Sequence, residues 1–331
     1  MAELVFSVRD LAQMRFAVSP MWEVGPSLRL LRSGVVHPVH RRWAEQVRPR
    51  LAAAGLDRGR LAELVPPSGY VPDFLNPTPA APVAELAEEV DGILATPPER
   101  VRRDLDRLRR EQGGLGPRTE ALYARPEARL AGVAEEVRLY WELALAPYWA
   151  RIRAVLDADV AHRARQVAER GAAHLLGGLH ASVRWDEDTL RLLRRPSALS
   201  RPTAGHGLLL IPSVFTGPVP FTRVTPPDPP QLAYPARGIG SLWEAPSGDG
   251  GEALAAVLGR TRARLLAELD SPASTTELAR RTALSPAAVS ENLTALRAAG
   301  LTTAHRVGRS VLYARTAAAD TLLAAAAAAG G

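Results

Sequence analysis

The chain reads as a mainly α protein with small β elements, in which a helical N-terminal domain carrying β-hairpins precedes a smaller C-terminal domain. Three observations predict this. Apolar residues recur at spacings of three and four over most of the first 178 positions, which is the period of an amphipathic helix. After Gly177 and Gly178 the pattern changes to short extended runs. Finally, Thr275 to Arg315 reads as two short helices, a tight turn and a basic hairpin. At 331 residues the chain is too long for that last segment alone, since such a unit needs roughly 80 to 100 residues. Two domains are therefore expected, 1–246 and 252–331, with the Gly-rich SGDGGE at 247–252 as the linker.

Taken in order, Ser7 to Val18 predicts a capped amphipathic helix with Leu11, Met14 and Val18 on one side. Pro20 to Leu31 predicts a second, with a kink or break at Pro26. The Pro-rich stretch Val65 to Pro82 reads as a mobile surface connection. Pro97 to Arg110 is a charged helix whose apolar edge is Val101, Leu105 and Leu108. Two long helices follow, over 126–145 and 148–178, interrupted at Pro147; the second, with Tyr148, Ile152, Leu156 and Val167 near helical spacing, suits a domain spine or a dimer seam. SVRWDEDTLRLL predicts a hairpin turning at Asp186 to Asp188. GLLLIPSVF, Gly207 to Phe215, predicts a buried strand with QLAYPARG, from Gln231, as its partner. Glu252 to Asp270 reads as the first helix of the C-terminal domain.

In that domain Ser274 is placed to cap one helix, with Glu277 returning the bond as a capping box. Thr282 to Leu284 make a turn, Ser285 caps the next helix, and Pro286 takes its first position, where a missing N–H costs nothing. Val289, Leu293 and Leu296 form a buried stripe, so small and polar side chains point outward. A helix that enters a major groove about 12 Å wide needs such a face. Gly300 stops the helix, and two extended runs around Val307 to Ser310 form a wing. The order is that of a winged helix-turn-helix, and double-stranded DNA is the partner it predicts. The candidate DNA-binding residues are Ser285, Ala287, Ala288, Ser290, Glu291, Asn292, Thr294, Arg297, Arg306 and Arg309. Ser290 and Glu291 are the preferred base readers, Glu291 by accepting from a cytosine amine, with Asn292 behind them. Arg306 and Arg309 are placed for phosphates or a narrow minor groove, and Arg297 and Arg315 for backbone contacts.

These residues carry a resemblance. From Arg260 onward the chain resembles the ArsR-type winged-helix repressors, through the pattern TELAxRxxLSxxxVSxxLxxLRxAGL followed by RxGRxVxY. The resemblance implies a homodimeric bacterial repressor in which each subunit's recognition helix meets one operator half-site. Ala283 stands where such sequences often have glycine, and Asn292 where they often have histidine. Arsenic-sensing members use a cysteine pair and zinc sensors use Asp and His pairs on the last helix. This chain has no cysteine, and its last segment offers only Asp320, so neither a metal nor a cofactor is expected. SVRDLAQMRFAVSPMWEVGPSLRLL, RWDEDTLRL, GLLLIPSVF and LAYPARG are similar to the N-terminal region that accompanies this winged helix in many actinobacterial regulators. That similarity supports two domains and leaves room for a small-molecule effector without naming one.

Composition sets outer bounds. No run approaches 18 apolar residues, and the opening lacks the order of a secretion signal, so a cytoplasmic protein with no membrane partner is expected. The formal charge is +6, and every one of the 41 basic residues is arginine, which reflects a GC-rich genome as much as a function. From Glu252 to the end nine Arg face six Asp or Glu, a net of +3, so the motif argues for DNA better than the charge does. His37 and His40 lack a third metal ligand nearby, and His162, His174 and His180 read as satisfied or exposed side chains. The six tryptophans all precede the winged helix and read as core, although aromatic walls also suit an effector pocket. No catalytic signature appears, and Ser213 in IPSVF lacks flanking glycines, so an enzyme is not expected. The remaining alternative is a winged helix that binds protein without touching DNA directly.

Overall fold

A computed structural model describes residues 2–34, 38–193, 199–202, 206–243, 251–307 and 310–329. Among them the helices are α1 Val8–Ala12, α2 Met21–Arg32, α3 Arg41–Ala53, α4 Arg60–Leu64, α5 Leu86–Leu94, α6 Pro98–Gln112 and α7 Pro117–Ala124. They continue with α8 Pro126–Tyr140, α9 Trp149–Gly177, α10 Gly251–Leu258, α11 Arg260–Glu268, α12 Thr275–Thr282, α13 Pro286–Ala298 and α14 Ala317–Ala329, and the single helix expected over 148–178 is broken at Gly171, where φ is 81° and ψ 167°. The strands are β1 Ala2–Val5, β2 Arg15–Phe16, β3 Val183–Asp186, β4 Thr189–Leu192, β5 Leu199–Pro202 and β6 Leu209–Ser213. The remaining ones are β7 Phe221–Arg223, β8 Gln231–Pro235, β9 Ala273–Ser274, β10 Thr302–Val307 and β11 Ser310–Arg315. The protein is thus mainly α with small sheets, in the orders β3-β4-β1-β5, β2-β6-β8-β7 and β10-β11-β9.

The chain divides into two compact units. The first takes in 1–37, 56–137 and 155–239, and the second 38–55, 138–154 and 240–331. In the first, the strand predicted at GLLLIPSVF is β6, wholly buried and paired in parallel with β8 from Leu209↔Gln231 to Ser213↔Pro235. The hairpin predicted around Asp186 to Asp188 is β3–β4, closing at Asp186↔Thr189. Leu4, Phe6, Leu175, Leu190, Leu210 and Tyr234 belong to one apolar core of this unit.

Several sequence expectations are corrected here. The helix predicted from Ser7 to Val18 ends at Ala12, because Arg15 and Phe16 are taken as a strand by β6. Its cap is nonetheless a full capping box, in which Asp10 N donates to Ser7 Oγ and Ser7 N to Asp10 Oδ2. Pro26 neither ends nor splits α2. Proline deprives the Trp22 carbonyl, four residues back, of its helical donor, and Ser213 Oγ lies 3.4 Å from that oxygen. The stretch from Val65 to Pro82 is packed rather than loose: Val65, Phe74 and Leu75 are buried, and Phe74 N donates to the Asp104 carboxylate at 2.8 Å. β1 and β7 have no counterpart in the elements expected from sequence. The 126–145 helix ends at Tyr140, and Trp141–Leu145 continues as a π-turn before Pro147. In the C-terminal segment one expected helix is two, since Gly259, at φ 82°, separates α10 from α11. Of the linker predicted at 247–252, residues 247–250 lie outside the described residues, and Gly251 and Glu252 already belong to α10.

In the second unit the core joins Leu254, Leu265, Leu266, Leu278, Val289, Leu293, Leu296 and Leu323. Segments from the first half of the sequence belong to this unit too. Trp43 Nε1 donates to the Ala144 carbonyl at 2.8 Å, and Tyr148 donates to Gln46 Oε1 at 2.7 Å, which joins α3 to the π-turn and its neighbour. Arg42 pairs with Asp270 at 3.0 Å, and the wing residue His305 lies 4.0 Å from Glu142. The Trp43 and Trp243 rings stack, and Trp243 Nε1 donates to His40 Nδ1. His37 lies outside the described residues.

Candidate nucleic-acid interface

The local sequence explains each bend of the reader. Ser274 Oγ accepts from Glu277 N and starts α12, as expected. The predicted return bond is not made. Glu277 instead holds Arg280 at 2.7 Å and Arg281 at 2.8 Å, so those guanidiniums pull its carboxyl down to about 2. A charged partner one turn ahead outcompetes a backbone N–H for the same oxygens. One carboxylate is thereby shared by two guanidiniums, which leaves a net positive charge at this end of α12.

Ala283 closes that helix at φ 55° and ψ 27°, a left-handed conformation where an L side chain is strained. Ser285 then caps α13, its Oγ accepting from Ala288 N at 3.2 Å, and Pro286 follows at the first helical position. Val289, Leu293 and Leu296 are buried beneath α13. Gly300, at φ 71°, lets the chain turn into β10. β10 and β11 pair antiparallel from Thr302↔Arg315 to Val307↔Ser310, and β11 also holds β9. This is the predicted wing.

On α13, Ser285, Ala287, Ser290, Glu291, Thr294 and Arg297 are exposed, whereas Ala288 and Asn292 are half-buried. Asn292 Nδ2 donates to Ala288 O at 2.8 Å, and Thr294 Oγ1 donates to Ser290 O at 2.9 Å. Arg306 on β10 is exposed, and Arg309 lies outside the described residues. Arg315 corrects the expectation of a phosphate contact. Its side chain is buried, Nη1 donates to Leu266 O at 3.2 Å, and Nε lies 2.8 Å from Asp320 Oδ1. A guanidinium fixed beneath β11 cannot reach a phosphate. Sequence reasoning passed over Arg260, Arg262 and Arg264, which are exposed on α11 and have no carboxylate partner among the described residues. The alternating RTRAR was the signal for them.

A capped helix, a left-handed turn, a second capped helix with a small polar outer face, and a two-stranded wing are the parts of a DNA-binding helix-turn-helix domain. Residues 258–304 match a family model described as a helix-turn-helix domain, from the end of α10 into β10. The chain thus carries the DNA-binding domain of a transcription regulator. Neither a curated protein nor a solved structure matches it. Among the described residues no helix is long and apolar enough to cross a membrane, and no group of three His, Asp or Glu side chains could hold a metal.

Proposed function

We propose that the protein is a homodimeric, ArsR-like repressor that reads operator half-sites with α13. Ser290 and Glu291 touch base edges, Ser285, Ala287, Ala288, Asn292 and Thr294 line the approach, and Arg297, Arg306 and Arg309 meet the phosphate backbone. The observation that carries this reading is the division of α13 into a buried Val289, Leu293 and Leu296 stripe and an exposed face of small and polar residues. Bulky apolar side chains on that outer face would hold the backbone away from the bases. In this reading the 252–331 segment supplies the reader, and residues 1–246 set subunit geometry and offer a site for an effector.

The test is a gel shift with the DNA upstream of the protein's own coding sequence, repeated as salt is raised, followed by footprinting. A dimeric reader gives a footprint with two half-sites, and its affinity falls steeply with salt as counterions are released. Absence of any salt-sensitive shift would favour the protein-interaction alternative and remove the DNA assignment. Sedimentation in solution tests the dimer separately.

A further inference from the structure

The first unit holds a cavity of about 670 Å³, bounded by Trp22 and Arg29 on α2, Tyr70 in the loop after α4, Arg107 on α6, and Phe221 and Arg223 at β7. That volume suits a drug-sized ligand, and its walls combine aromatic rings with a few polar groups. Most of the charges lining it are already matched. Arg107 stacks 3.9 Å from the centre of the Tyr70 ring and donates to Glu111 at 3.1 Å. Arg223 is bonded to Thr78 and shares Asp228 with Arg100, while Asp73 accepts from the Thr225 hydroxyl and has no ion pair among the described residues.

Arg29 differs from these. Its Nε donates to Pro66 O at 3.1 Å and its Nη2 to Gly69 O at 2.8 Å, both neutral carbonyls, and its guanidinium lies 5.4 Å from the Phe221 ring centre. Among the described residues no carboxylate is within ion-pair distance of it. Glu111, whose field reaches Arg29, has its two oxygens taken by Arg107 Nε and Tyr70 N. Burial lowers the Arg29 pKa, yet a guanidinium keeps its charge in a protein. A partly buried cation whose direct hydrogen bonds go to neutral carbonyls gains from an incoming anion. Arg29 thus presents a cationic fork to the cavity, and the fork of an arginine is shaped for a carboxylate.

We propose that this cavity binds a flat, multi-ring aromatic carboxylate, with the carboxylate on Arg29 and the rings against Trp22, Tyr70 and Phe221. The proposal stands on the cavity alone and does not require the DNA assignment. Its test uses the full chain and two probes, anthracene-2-carboxylate and anthracene-2-carboxamide, titrated by calorimetry at neutral pH. The carboxylate binds at one site per chain, at least about tenfold more tightly than the amide, the margin a charge-assisted hydrogen bond gives over a neutral one. Arg29→Met removes that difference, and Phe221→Ala weakens both probes while keeping it. Equal affinity of the two probes for the unaltered protein, or no saturable binding of the carboxylate up to its solubility, overturns the proposal. Since that comparison needs no substitution, it holds even where Arg29→Met fails to fold.

Discussion

Arg29 and Arg297 show the same side chain set to opposite ends in the two units. Arg29 is drawn down among carbonyls and a phenyl ring, with most of its water stripped away. Arg297 stands exposed near the end of α13 and has no ion pair among the described residues. Arg315, in the same unit as Arg297, is buried where Arg29 is half-buried, and it lies against Asp320. A chain whose basic residues are all arginine therefore says little through their number. What separates a phosphate contact from a structural strut is the company each guanidinium keeps: neutral carbonyls, a carboxylate, or water.

The largest effect expected from breaking this contrast is at Arg315. Arg315→Ala removes the donor to Leu266 O and leaves Asp320, a half-buried acid whose pKa burial already raises, with only Arg151 at 3.7 Å as a cation. Breaking one partner of a buried pair costs about 3 kcal/mol. Denaturant unfolding should show that loss, while the DNA affinity of the molecules that stay folded should change little. If stability changes by less than about 0.5 kcal/mol, the typical effect of a plain surface substitution, Arg315 belongs with the exposed arginines after all.

Acids sharpen the comparison from the other side. In the first unit burial raises Glu23 to about 8, Glu89 to about 7 and Asp104 to about 6, whereas Glu277 in the reader is held down at about 2 by Arg280 and Arg281. Ser213 Oγ lies 2.9 Å from Glu23 Oε2 and 3.4 Å from the Trp22 carbonyl orphaned by Pro26. One hydroxyl carries one hydrogen, so a protonated Glu23 lets both contacts be satisfied together. A carboxyl raised on folding contributes its stability in full below the usual carboxylate pKa, and loses it as pH climbs through the folded value. Unfolding free energy should therefore fall between about pH 5 and 8, by up to about 1.4 kcal/mol per pH unit for each acid that titrates. Urea titrations across that range test the slope. Glu23→Gln should flatten its upper part, and an unchanged profile would mean that Glu23 is ionised in the fold.

At the reader surface the effect moves from stability to affinity. Arg306→Ala and Arg297→Ala should each leave unfolding within about 0.5 kcal/mol of the parent. Each should also weaken DNA binding across sequences and lower the salt slope by about one. Unaltered affinity at low and moderate salt for both would remove these two from the interface.

Much of the reader was legible because it is locally determined. Ser274, Ser285, Pro286 and Gly300 act within one turn of themselves, and Val289, Leu293 and Leu296 declare their face by spacing alone. What the sequence hid depends on partners far away in the chain. Arg15 and Phe16 look helical until β6 takes them as a strand, and the 65–82 prolines look loose until Asp104 fixes Phe74. Arg315 has the same composition around it as a wing arginine, and only the register of β11 turns it inward. Nor does any local pattern announce that 38–55 and 138–154 pack in the same unit as the reader. The cavity beside Arg29 escaped for the same reason, since its walls come from residues 22 to 223.

The smallest effect expected is at the turn itself, and it isolates backbone from side chain. Ala283 is held at φ 55° with a Cβ that the left-handed region disfavours by about 1 to 2 kcal/mol. Glycine removes that strain but loses more chain entropy on folding, which offsets roughly 0.5 to 1 kcal/mol of the gain. Ala283→Gly should therefore stabilise the protein by less than about 1 kcal/mol, read as a small rise in the denaturation midpoint with an unchanged slope. Ala283→Val should do the reverse, because a β-branched side chain worsens the same clash. Ala283 is an exposed residue, so both changes act through the turn and leave the buried stripe alone. Were Ala283→Gly instead to destabilise the chain, the turn between α12 and α13 would not hold its left-handed residue in solution, and the angle at which α13 is presented would need another support.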